Sequence, residues 1–279
     1  MKFTRPIIFY NAFKPGAHET SQKLLAQATA LGAQARLITD LTKLPQTAGT
    51  DLVVCLGGDG TTLHAARQAA ALNLPVFSIN CGTLGFLSGC EKADAEAAFP
   101  RVLNGEGILN ERFMLQAVIV RADGTEETAL AFNDCVLRCA QARAVSLQAR
   151  LNGRLLQPYY GDGLIVSTPT GSTAYSLAAG GPIVAPEVDV FLLTPICPHS
   201  LGQRPLILPA DGQLAFEPVF KYPGEQATVS LDGQTNFPLS KGDKVILSRS
   251  KTRARLITLP GRDFFTVLSK KLKWGNCIC

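Results

Sequence analysis

The segment from Leu52 to Thr61 constrains the fold most, because an apolar run leads directly into a glycine-rich turn. Leu52–Leu56 contains only apolar residues, and it is followed by Gly57-Gly58-Asp59-Gly60 and by the alanine-rich stretch Thr62–Ala71. This order predicts a buried strand, a tight turn and a helix, the repeating unit of an α/β sheet. Ligands of such sheets bind at the carboxyl ends of the strands, where glycines let backbone N–H groups approach phosphate oxygens. The segment therefore predicts an α/β domain with a phosphate-binding turn.

The remainder of the first third of the chain repeats the same alternation. Pro6–Tyr10 and Val76–Asn80 predict two further buried strands, and Ser21–Leu31 and Ala93–Leu103 have the apolar spacing of helices. We expect a doubly wound α/β domain over residues 1–108, ending at the Gly105–Gly107 break.

The pattern changes after Phe113 to short β-rich runs. Between them lie turn dipeptides that tolerate a positive φ, namely Asp123-Gly124, Asn152-Gly153, Asp211-Gly212 and Asp232-Gly233. This pattern predicts a mostly antiparallel, β-sandwich-like domain over residues 109–259, with Gly171–Ala179 as its helical candidate. Phe264–Leu272 predicts a final helix, and we assign residues 260–279 to the first domain.

Composition argues against several classes of function. The net charge is +5 and the basic residues are scattered, which does not favour a nucleic-acid partner. No stretch approaches the roughly 20 apolar residues of a membrane span, and the only apolar run near the start of the chain has five residues, so we expect a cytoplasmic protein.

Eight cysteines without a CxxC pair, and three histidines, do not favour a zinc site. Most thiols are expected in the core, whereas the sequence leaves the role of Cys277 and Cys279 open.

Asp59 is the unusual member of the glycine-rich turn. The chain has no GxxxxGK[ST], and Leu63 stands where GxGxxG would need its third glycine, so the two common phosphate motifs are absent. An aspartate facing a polyphosphate would repel it unless the carboxylate bound a proton, a metal or a hydroxyl. We therefore predict that Asp59 accepts the proton of an attacking alcohol. The alternative is that Asp59 only caps the following helix.

Three further segments carry polar side chains that suit ligand binding. After the apolar run Leu164–Val166 comes a series of hydroxyls and glycines, Ser167–Ser176, which suits close approach by a ribose or phosphate but is equally compatible with ordinary turn capping. Considered singly, Asn133-Asp134 favours an Asx turn and Ser230–Gln234 favours a hairpin.

Taken together and in this order, these segments resemble the NAD kinase family. The resemblance extends from Leu56 to Gln234. It rests on the segments Gly57–Thr61, Asn80–Leu87, Asn133-Asp134, Asp162-Gly163, Thr168–Ser176 and Asp232–Gln234. A Gly-Gly-Asp-Gly turn also occurs in diacylglycerol kinases, sphingosine kinases and phosphofructokinases, whereas the Thr-Pro-Thr-Gly-Ser-Thr-Ala-Tyr series is more particular to NAD kinases.

The resemblance implies an N-terminal α/β domain, a C-terminal β-rich domain and a nucleotide cleft between them. It implies transfer of the γ-phosphoryl group of ATP, or of polyphosphate, to the 2′-hydroxyl of the adenosine ribose of NAD, giving NADP. Asp59 would be the proton acceptor, the turn containing Gly57, Gly58 and Gly60 would face the phosphates, and Mg²⁺ or another divalent cation would bridge them. No side chain is predicted as a metal ligand. The residues implied in nucleotide binding are those of the turn with His64, Asn133, Asp134, Asp162, Thr173, Ala174, Tyr175, Ser176, Leu177, Ala178 and Gln234.

Some alternatives stay open at this point. A lipid or sugar kinase would share the Gly-Gly-Asp-Gly turn, and a sensor of NAD or NADP would share the binding residues without turnover. The family pattern often has a histidine where this chain has Arg143-Ala144, so that contact is not transferred. The resemblance suggests a homo-oligomer, a dimer or tetramer. It does not decide between ATP and polyphosphate, nor whether NADH is accepted or NADP inhibits.

Overall fold

The computed structural model describes residues 2–46, 49–139, 143–221 and 224–273. Within these ranges the chain forms two compact units. The first unit contains the residues up to Arg112 and those from Thr252 onward, and the second unit is Phe113–Lys251.

The described residues form the following helices and strands. The α-helices are α1 (Ala17–Ala30), α2 (Asp59–Ala71), α3 (Ala95–Leu103), α4 (Tyr175–Ala178) and α5 (Phe264–Leu272). Short 3₁₀ helices lie at Leu41–Gln46, Lys92–Asp94 and Thr170–Thr173. The strands up to the middle of the chain are β1 (Pro6–Tyr10), β2 (Arg36–Ile38), β3 (Leu52–Gly57), β4 (Pro75–Asn80), β5 (Cys90–Glu91), β6 (Ile108–Val120), β7 (Glu126–Ala131), β8 (Asp134–Cys139) and β9 (Val145–Leu151). They are followed by β10 (Arg154–Leu155), β11 (Tyr159–Ser167), β12 (Val190–Pro198), β13 (Leu206–Pro209), β14 (Leu214–Val219), β15 (Ala227–Leu231), β16 (Thr235–Leu239) and β17 (Lys244–Thr258).

The first unit is built on a parallel sheet with the strand order β2, β1, β3, β4. Ile8 pairs with Leu37 on one side and with Val54 on the other, and Val54 pairs with Phe77. The end of β17 adds a parallel strand beside β4, with Leu256 opposite Val76. The predicted α/β architecture is confirmed, and both β3 and β4 end at the edge where the predicted phosphate-binding turn begins.

Burial explains why the strands of the first unit are continuously apolar. Every residue of β3 and of β4 is buried, since helices cover both faces of a parallel sheet. Helices α1 and α3 contribute Leu24 and Phe99 to the same core.

Two helices of the first unit begin earlier than predicted. Helix α1 begins at Ala17 instead of Ser21, after Gly16 in the left-handed conformation with φ 72°. Helix α2 begins at Asp59 instead of Thr62. Residues 17–20 and 59–62 contain no large apolar side chain, so apolar spacing does not reveal these helix starts. Helix α3 begins two residues later than predicted because Lys92–Asp94 forms a 3₁₀ turn.

The second unit is antiparallel throughout its described strand pairs, and the predicted β-rich domain is confirmed. Strand β11 joins two branches of the sheet. Its first residues pair with β9, which continues to β14, and its last residues pair with β8, which continues to β15 and β16. Strand β12 pairs with the other edge of β11. Side chains from both branches form one core, including Leu137, Leu147 and Phe216.

The turns of the second unit test the local predictions. Asn152-Gly153 has φ values of 50° and 79°, and Asp232-Gly233 has 54° and 65°, so both pairs form the predicted left-handed hairpin turns. The prediction of one helix over Gly171–Ala179 is wrong. A 3₁₀ turn is followed by the four-residue helix α4, because Ala174 leaves the helical region with φ −99° and ψ −129°.

The cysteines behave largely as small apolar residues. Cys55, Cys81, Cys90 and Cys135 are buried, and burial raises the pKa of the Cys55 thiol to about 11. Cys277 and Cys279 lie outside the described residues. Over the described part of the chain, no helix combines the length and the apolar character required to cross a membrane.

Substitution of Leu137 by Ala tests the core of the second unit. Leu137 is fully buried on β8 between Leu164 and Val229, so its truncation should lower the free energy of unfolding by about 2–5 kcal/mol. Leu201→Ala is the control, since Leu201 is 91% exposed and should change stability by less than about 0.5 kcal/mol. Urea denaturation measures both variants, and equal losses would contradict this core.

Candidate functional site

The turn after β3 is held in place by backbone contacts with both neighbouring strands. The Gly57 carbonyl accepts a hydrogen bond from the Cys81 amide at 2.7 Å, and the Leu56 carbonyl accepts one from the Asn11 amide at 2.9 Å. A Cβ on Gly57 would overlap the Thr61 side chain. Close packing against Thr61 therefore requires glycine at this position. The sequence had suggested a different reason, namely that glycine leaves space for phosphate.

Asp59 is the first residue of α2, and its carboxylate points away from the helix backbone. Oδ2 accepts a hydrogen bond from the Phe86 amide at 3.0 Å, and Oδ1 accepts one from the Leu87 amide at 3.1 Å. The helix cap is Gly58, and no side-chain cap bond is present there. The alternative that Asp59 only caps its helix is therefore wrong.

The loop that binds the Asp59 carboxylate follows β4. Its Gly85 lies so close that an added Cβ would overlap Asp59 Oδ1 and approach Cγ to 3.0 Å. The side chain of Asn80 holds the start of this loop, because Nδ2 donates to the Thr83 carbonyl at 2.9 Å and to Glu91 Oε2 at 2.6 Å.

Arg262 completes this network from the segment before α5. Its guanidinium donates to Glu91 Oε1 at 2.6 Å and to the Ser88 carbonyl at 2.7 Å. A partly buried ion pair thus ties the end of the loop to Asn80, and so fixes the two amides that hold Asp59.

A polar cavity of about 340 Å³ opens beside Asp59. Its walls are the glycine-rich turn, the start of the loop after β4 and two lysines, and its side chains include Asn11, Lys14, Thr61, Asn80, Leu84 and Lys271. Gly60 has no heavy atom within 4 Å of a built Cβ, so the turn is open to a ligand at that point. The cavity has the donor groups and the size suited to phosphates.

His64 lies one turn further along α2 and is not among the residues that line this cavity. It is partly buried, and burial, followed by the nearby charge of Arg67, lowers its pKa. The neutral form therefore predominates near pH 7.

In the second unit, Asn133 and Asp134 are held by the carboxylate of Asp232. Oδ1 of Asp232 accepts hydrogen bonds from the Asn133 amide at 2.7 Å and the Asp134 amide at 3.1 Å, and Oδ2 accepts one from the Phe132 amide at 2.9 Å. The hairpin turn at Asp232-Gly233 places this carboxylate. The Asp232 amide in turn donates to the Asp134 carbonyl at 2.9 Å.

Asp134 is only 5% exposed. Burial, followed by the negative charge of Asp232, raises the pKa of the Asp134 carboxyl to about 7. A group with this pKa exchanges its proton near neutral pH, so the segment changes charge in the physiological range.

The hydroxyl-rich series after β11 packs against Asn133. Thr168 donates from its amide to the Asn133 carbonyl at 2.9 Å and from its hydroxyl to the Phe132 carbonyl at 2.8 Å. A Cβ on Gly171 would overlap the Asn133 carbonyl. The structure therefore brings these two segments into direct contact, as expected if both belong to the site that the resemblance implies.

The members of the Thr173–Ala178 segment differ in exposure. Ser176 is fully buried and its hydroxyl is hydrogen-bonded to Thr194 Oγ1 at 2.8 Å, whereas the Tyr175 side chain is 39% exposed. Thr173, Ala174 and Leu177 are partly exposed and Ala178 is exposed.

Asp162 and Gln234 are exposed residues of the second unit. Asp162 Oδ1 lies 3.9 Å from Nε2 of His199. Gln234 follows the Asp232-Gly233 turn, and its amide donates to the Leu231 carbonyl at 3.0 Å.

The sequence did not identify several residues that shape these sites. Lys271 is 212 positions from Asp59, and Arg262 is 171 positions from Glu91, so no local pattern links them. The segment from residue 80 to residue 87 carries part of the resemblance, but the sequence does not indicate that Gly85 contacts Asp59.

Substitution of Asp134 by Asn tests the buried carboxyl. The folded-state pKa of about 7 is higher than the usual 3.8, so wild-type stability falls as pH rises from about 4 to about 7 and the folded group ionises. An asparagine side chain does not ionise, so the Asp134→Asn variant does not undergo this loss. In the absence of ligand, the stability of the variant relative to wild type should therefore increase as pH rises from about 4 to about 7. Thermal unfolding at a series of pH values measures it, with the exposed Asp211→Asn as control; a difference independent of pH would contradict the assignment.

Comparison with known proteins adds the family. Residues 9–107 match the family model described as the ATP-NAD kinase N-terminal domain, and residues 132–259 match that of the ATP-NAD kinase C-terminal domain. The NAD kinase of Symbiobacterium thermophilum is 42% identical over 274 residues, which cover 94% of this chain and 96% of that protein. The NAD kinase of Citrifermentans bemidjiense is 40% identical over 284 residues, covering 96% and 98%.

Solved structures show the same fold. Yeast NADH kinase, solved in complex with NADH, superposes with a TM-score of 0.86 at 24% identity, covering 100% of this chain and 89% of that one. An NAD kinase from Archaeoglobus fulgidus, solved in complex with ATP, gives a TM-score of 0.77 at 24% identity, covering 95% and 99%. The family models cover most of the chain, and the relatives match nearly all of it at about 40% identity. The chain belongs to the NAD kinase family.

Proposed function

We propose that this chain transfers the γ-phosphoryl group of ATP to the 2′-hydroxyl of the adenosine ribose of NAD, with Asp59 as the proton acceptor. As a member of the NAD kinase family, the protein is an enzyme that phosphorylates NAD to NADP. The observation that supports the role of Asp59 most directly is its carboxylate, which is held by two amides at the wall of a polar cavity.

The position of Asp59 suits a base that acts on an alcohol. The hydrogen bonds from the two amides orient both carboxylate oxygens, and Oδ1 keeps a further lone pair for another donor. In the proposed step, the 2′-hydroxyl donates its proton to Asp59 as its oxygen forms a bond to the γ-phosphorus. The bond from that phosphorus to the bridging oxygen breaks, and ADP leaves. Positioning supplies most of the rate, because phosphoryl transfer requires little covalent chemistry from the protein.

We propose that the turn of Gly57, Gly58 and Gly60 faces the phosphates of ATP. Neither Gly58 nor Gly60 has a side chain to block a ligand, since an added Cβ on Gly58 would approach only the Lys14 side chain and one on Gly60 would lie in open space.

We expect a divalent cation, Mg²⁺, to bind at this site together with ATP. Among the described residues, no group of three or more His, Cys, Asp or Glu side chains is arranged to hold a metal ion. Mg²⁺ commonly keeps several waters and is bound largely by substrate phosphates, so the phosphates of ATP would hold it in this cavity, with no protein side chain assigned as its ligand. When bound, the ion would neutralise the charge that develops on the transferred group.

We propose that the second unit binds NAD through Asn133, Asp134, Asp162, Gln234 and the Thr173–Ala178 segment. The anchoring of Asn133 and Asp134 by Asp232 supports a preorganised binding segment. Ser176, with its buried hydroxyl bonded to Thr194, would act by supporting the segment instead of by direct contact.

Other expectations stay predictions. They are the domain limits at 108–109 and 259–260, a cytoplasmic location, a role in NADP biosynthesis and a homo-oligomeric state. The family assignment leaves open whether polyphosphate replaces ATP. It removes the lipid or sugar kinase alternative, and the sensor alternative with it, because the relatives are kinases of NAD.

Asp59→Asn tests the proton acceptor. The amide cannot accept the hydroxyl proton, so NADP formation from NAD, ATP and Mg²⁺ should fall by about 10²–10⁴-fold while the protein stays folded. Enzymatic detection of NADP measures the rate. Asp94→Asn is the matched control, because Asp94 is an exposed aspartate of the same unit. Near wild-type turnover by Asp59→Asn would refute the role of Asp59.

Gly85→Ala tests the orientation of Asp59 without changing its chemistry. The new methyl group would overlap Oδ1 of Asp59, so the carboxylate or the loop must move. We expect kcat to fall at least tenfold with little change in the thermal midpoint. Gly202→Ala controls for the loss of a glycine, since Gly202 is exposed in the second unit, has no left-handed φ, and an added Cβ there would come no closer than 3.9 Å to another side chain. Unchanged kcat in Gly85→Ala would contradict the importance of this contact.

A further inference from the structure

Two lysines from opposite ends of the chain line the cavity beside Asp59. Lys14 lies between β1 and α1, and Lys271 lies in the last turn of α5. They are the cationic side chains among the described lining residues, and Asp59 is the acidic one. Two positive charges and one negative charge give the cavity wall a net charge of +1, which favours an anion.

Lys271 is in direct contact with the site. Its Nζ lies 3.4 Å from Asp59 Oδ2 and 4.4 Å from the centre of the Phe86 ring. Phe86 is also the residue whose amide binds Asp59, so Lys271 lies over the same loop that orients the carboxylate.

Helix α5 is anchored in a way that fixes the position of Lys271. Asp263 caps the helix by accepting a hydrogen bond from the Thr266 amide at 2.9 Å, and Val267 and Leu268 are buried. Lys271 follows these residues by four and three positions, so it lies on the same side of the helix.

Lys14 approaches the glycine-rich turn from another direction. Its Nζ lies 4.0 Å from a Cβ built on Gly58 and 3.8 Å from one built on Gly82. An ammonium group at this distance from two glycines reaches the part of the cavity where no side chain intervenes.

The ion pair between Lys271 and Asp59 contributes little to the stability of the fold. The side chains of Lys271 and Asp59 are each 33% exposed, and ion pairs with this exposure stabilise a fold only weakly. A phosphoryl donor, in contrast, brings several negative charges next to the carboxylate of Asp59, and that repulsion must be offset.

We propose that Lys14 and Lys271 bind the polyphosphate of the phosphoryl donor, so that helix α5 supplies part of the active site. This inference rests on the proposed function and deepens it. In the free protein Lys271 pairs with Asp59, and with donor bound its ammonium group contacts phosphate oxygens. The carboxylate of Asp59 is then available to the acceptor hydroxyl.

The test uses the full chain and two readouts. The first is binding of inorganic tripolyphosphate by isothermal titration calorimetry, which requires no turnover. The second is steady-state NADP formation with ATP and NAD varied separately. The variants are Lys14→Ala, Lys271→Ala and Lys271→Arg, and the control is Lys270→Ala, since Lys270 is on the same helix but lines a separate cavity beside α3.

We expect Lys14→Ala and Lys271→Ala each to weaken tripolyphosphate binding at least fivefold and to lower kcat/KM for ATP at least tenfold. KM for NAD should change less than twofold, Lys271→Arg should keep most of the activity, and Lys270→Ala should resemble wild type. Thermal unfolding confirms that each variant is folded.

Unchanged tripolyphosphate binding in Lys271→Ala would overturn the proposal, as would an equal loss in Lys270→Ala. The two proposals fail separately. Tripolyphosphate binding that depends on the lysines in a protein that makes no NADP would sustain the lysine assignment and refute the proposed function.

Discussion

The two hydrogen bonds from the Phe86 and Leu87 amides to the Asp59 carboxylate are the interaction on which the candidate site depends. Asp59 is placed by the end of β3, and the amides are placed by the loop that follows β4. Parallel pairing brings these two strand ends to one edge of the sheet, with Gly57 opposite Asn80. The buried strands therefore act on the site directly, because a shift in their register would separate the carboxylate from its donors.

The second unit contains the same interaction, a carboxylate bound by consecutive backbone amides, but here the carboxylate is the anchor and the amides belong to the proposed binding segment. There the carboxylate of Asp232 is the anchor, and the segment it holds, Asn133-Asp134, is proposed to contact NAD. In both units a carboxylate binds a loop through consecutive backbone amides. Hydrogen bonds from amides to a charged carboxylate are stronger than those to a neutral acceptor. Burial of the Asp134 carboxyl, followed by the negative charge of Asp232, raises the pKa of Asp134 in this arrangement.

The sequence predicted the features that depend on neighbouring residues. Strand β1 was placed at its observed limits, and Asp59 was correctly expected at the carboxyl end of a strand. The hairpin turns at Asn152-Gly153 and Asp232-Gly233 follow from residue types that tolerate a positive φ. Here local chemistry and the global fold agree, so patterns within a few residues were sufficient.

The remaining features depend on residues that are distant in the sequence. Asp232 reaches Asp134 over 98 positions, and Lys271 reaches Asp59 over 212. The role of Gly85 follows from one close approach that only coordinates reveal. Helix starts were missed for a different reason, since the first turns of α1 and α2, residues 17–20 and 59–62, contain no large apolar side chain.

The measurement that tests the central claim most directly is a crystal structure of this protein with NAD bound. We expect the 2′-oxygen of the adenosine ribose to lie within about 3.2 Å of an Asp59 carboxylate oxygen, while the Phe86 and Leu87 amides still donate to that carboxylate. A ribose whose 2′-oxygen faces another side chain, with Asp59 out of hydrogen-bonding reach, would contradict it.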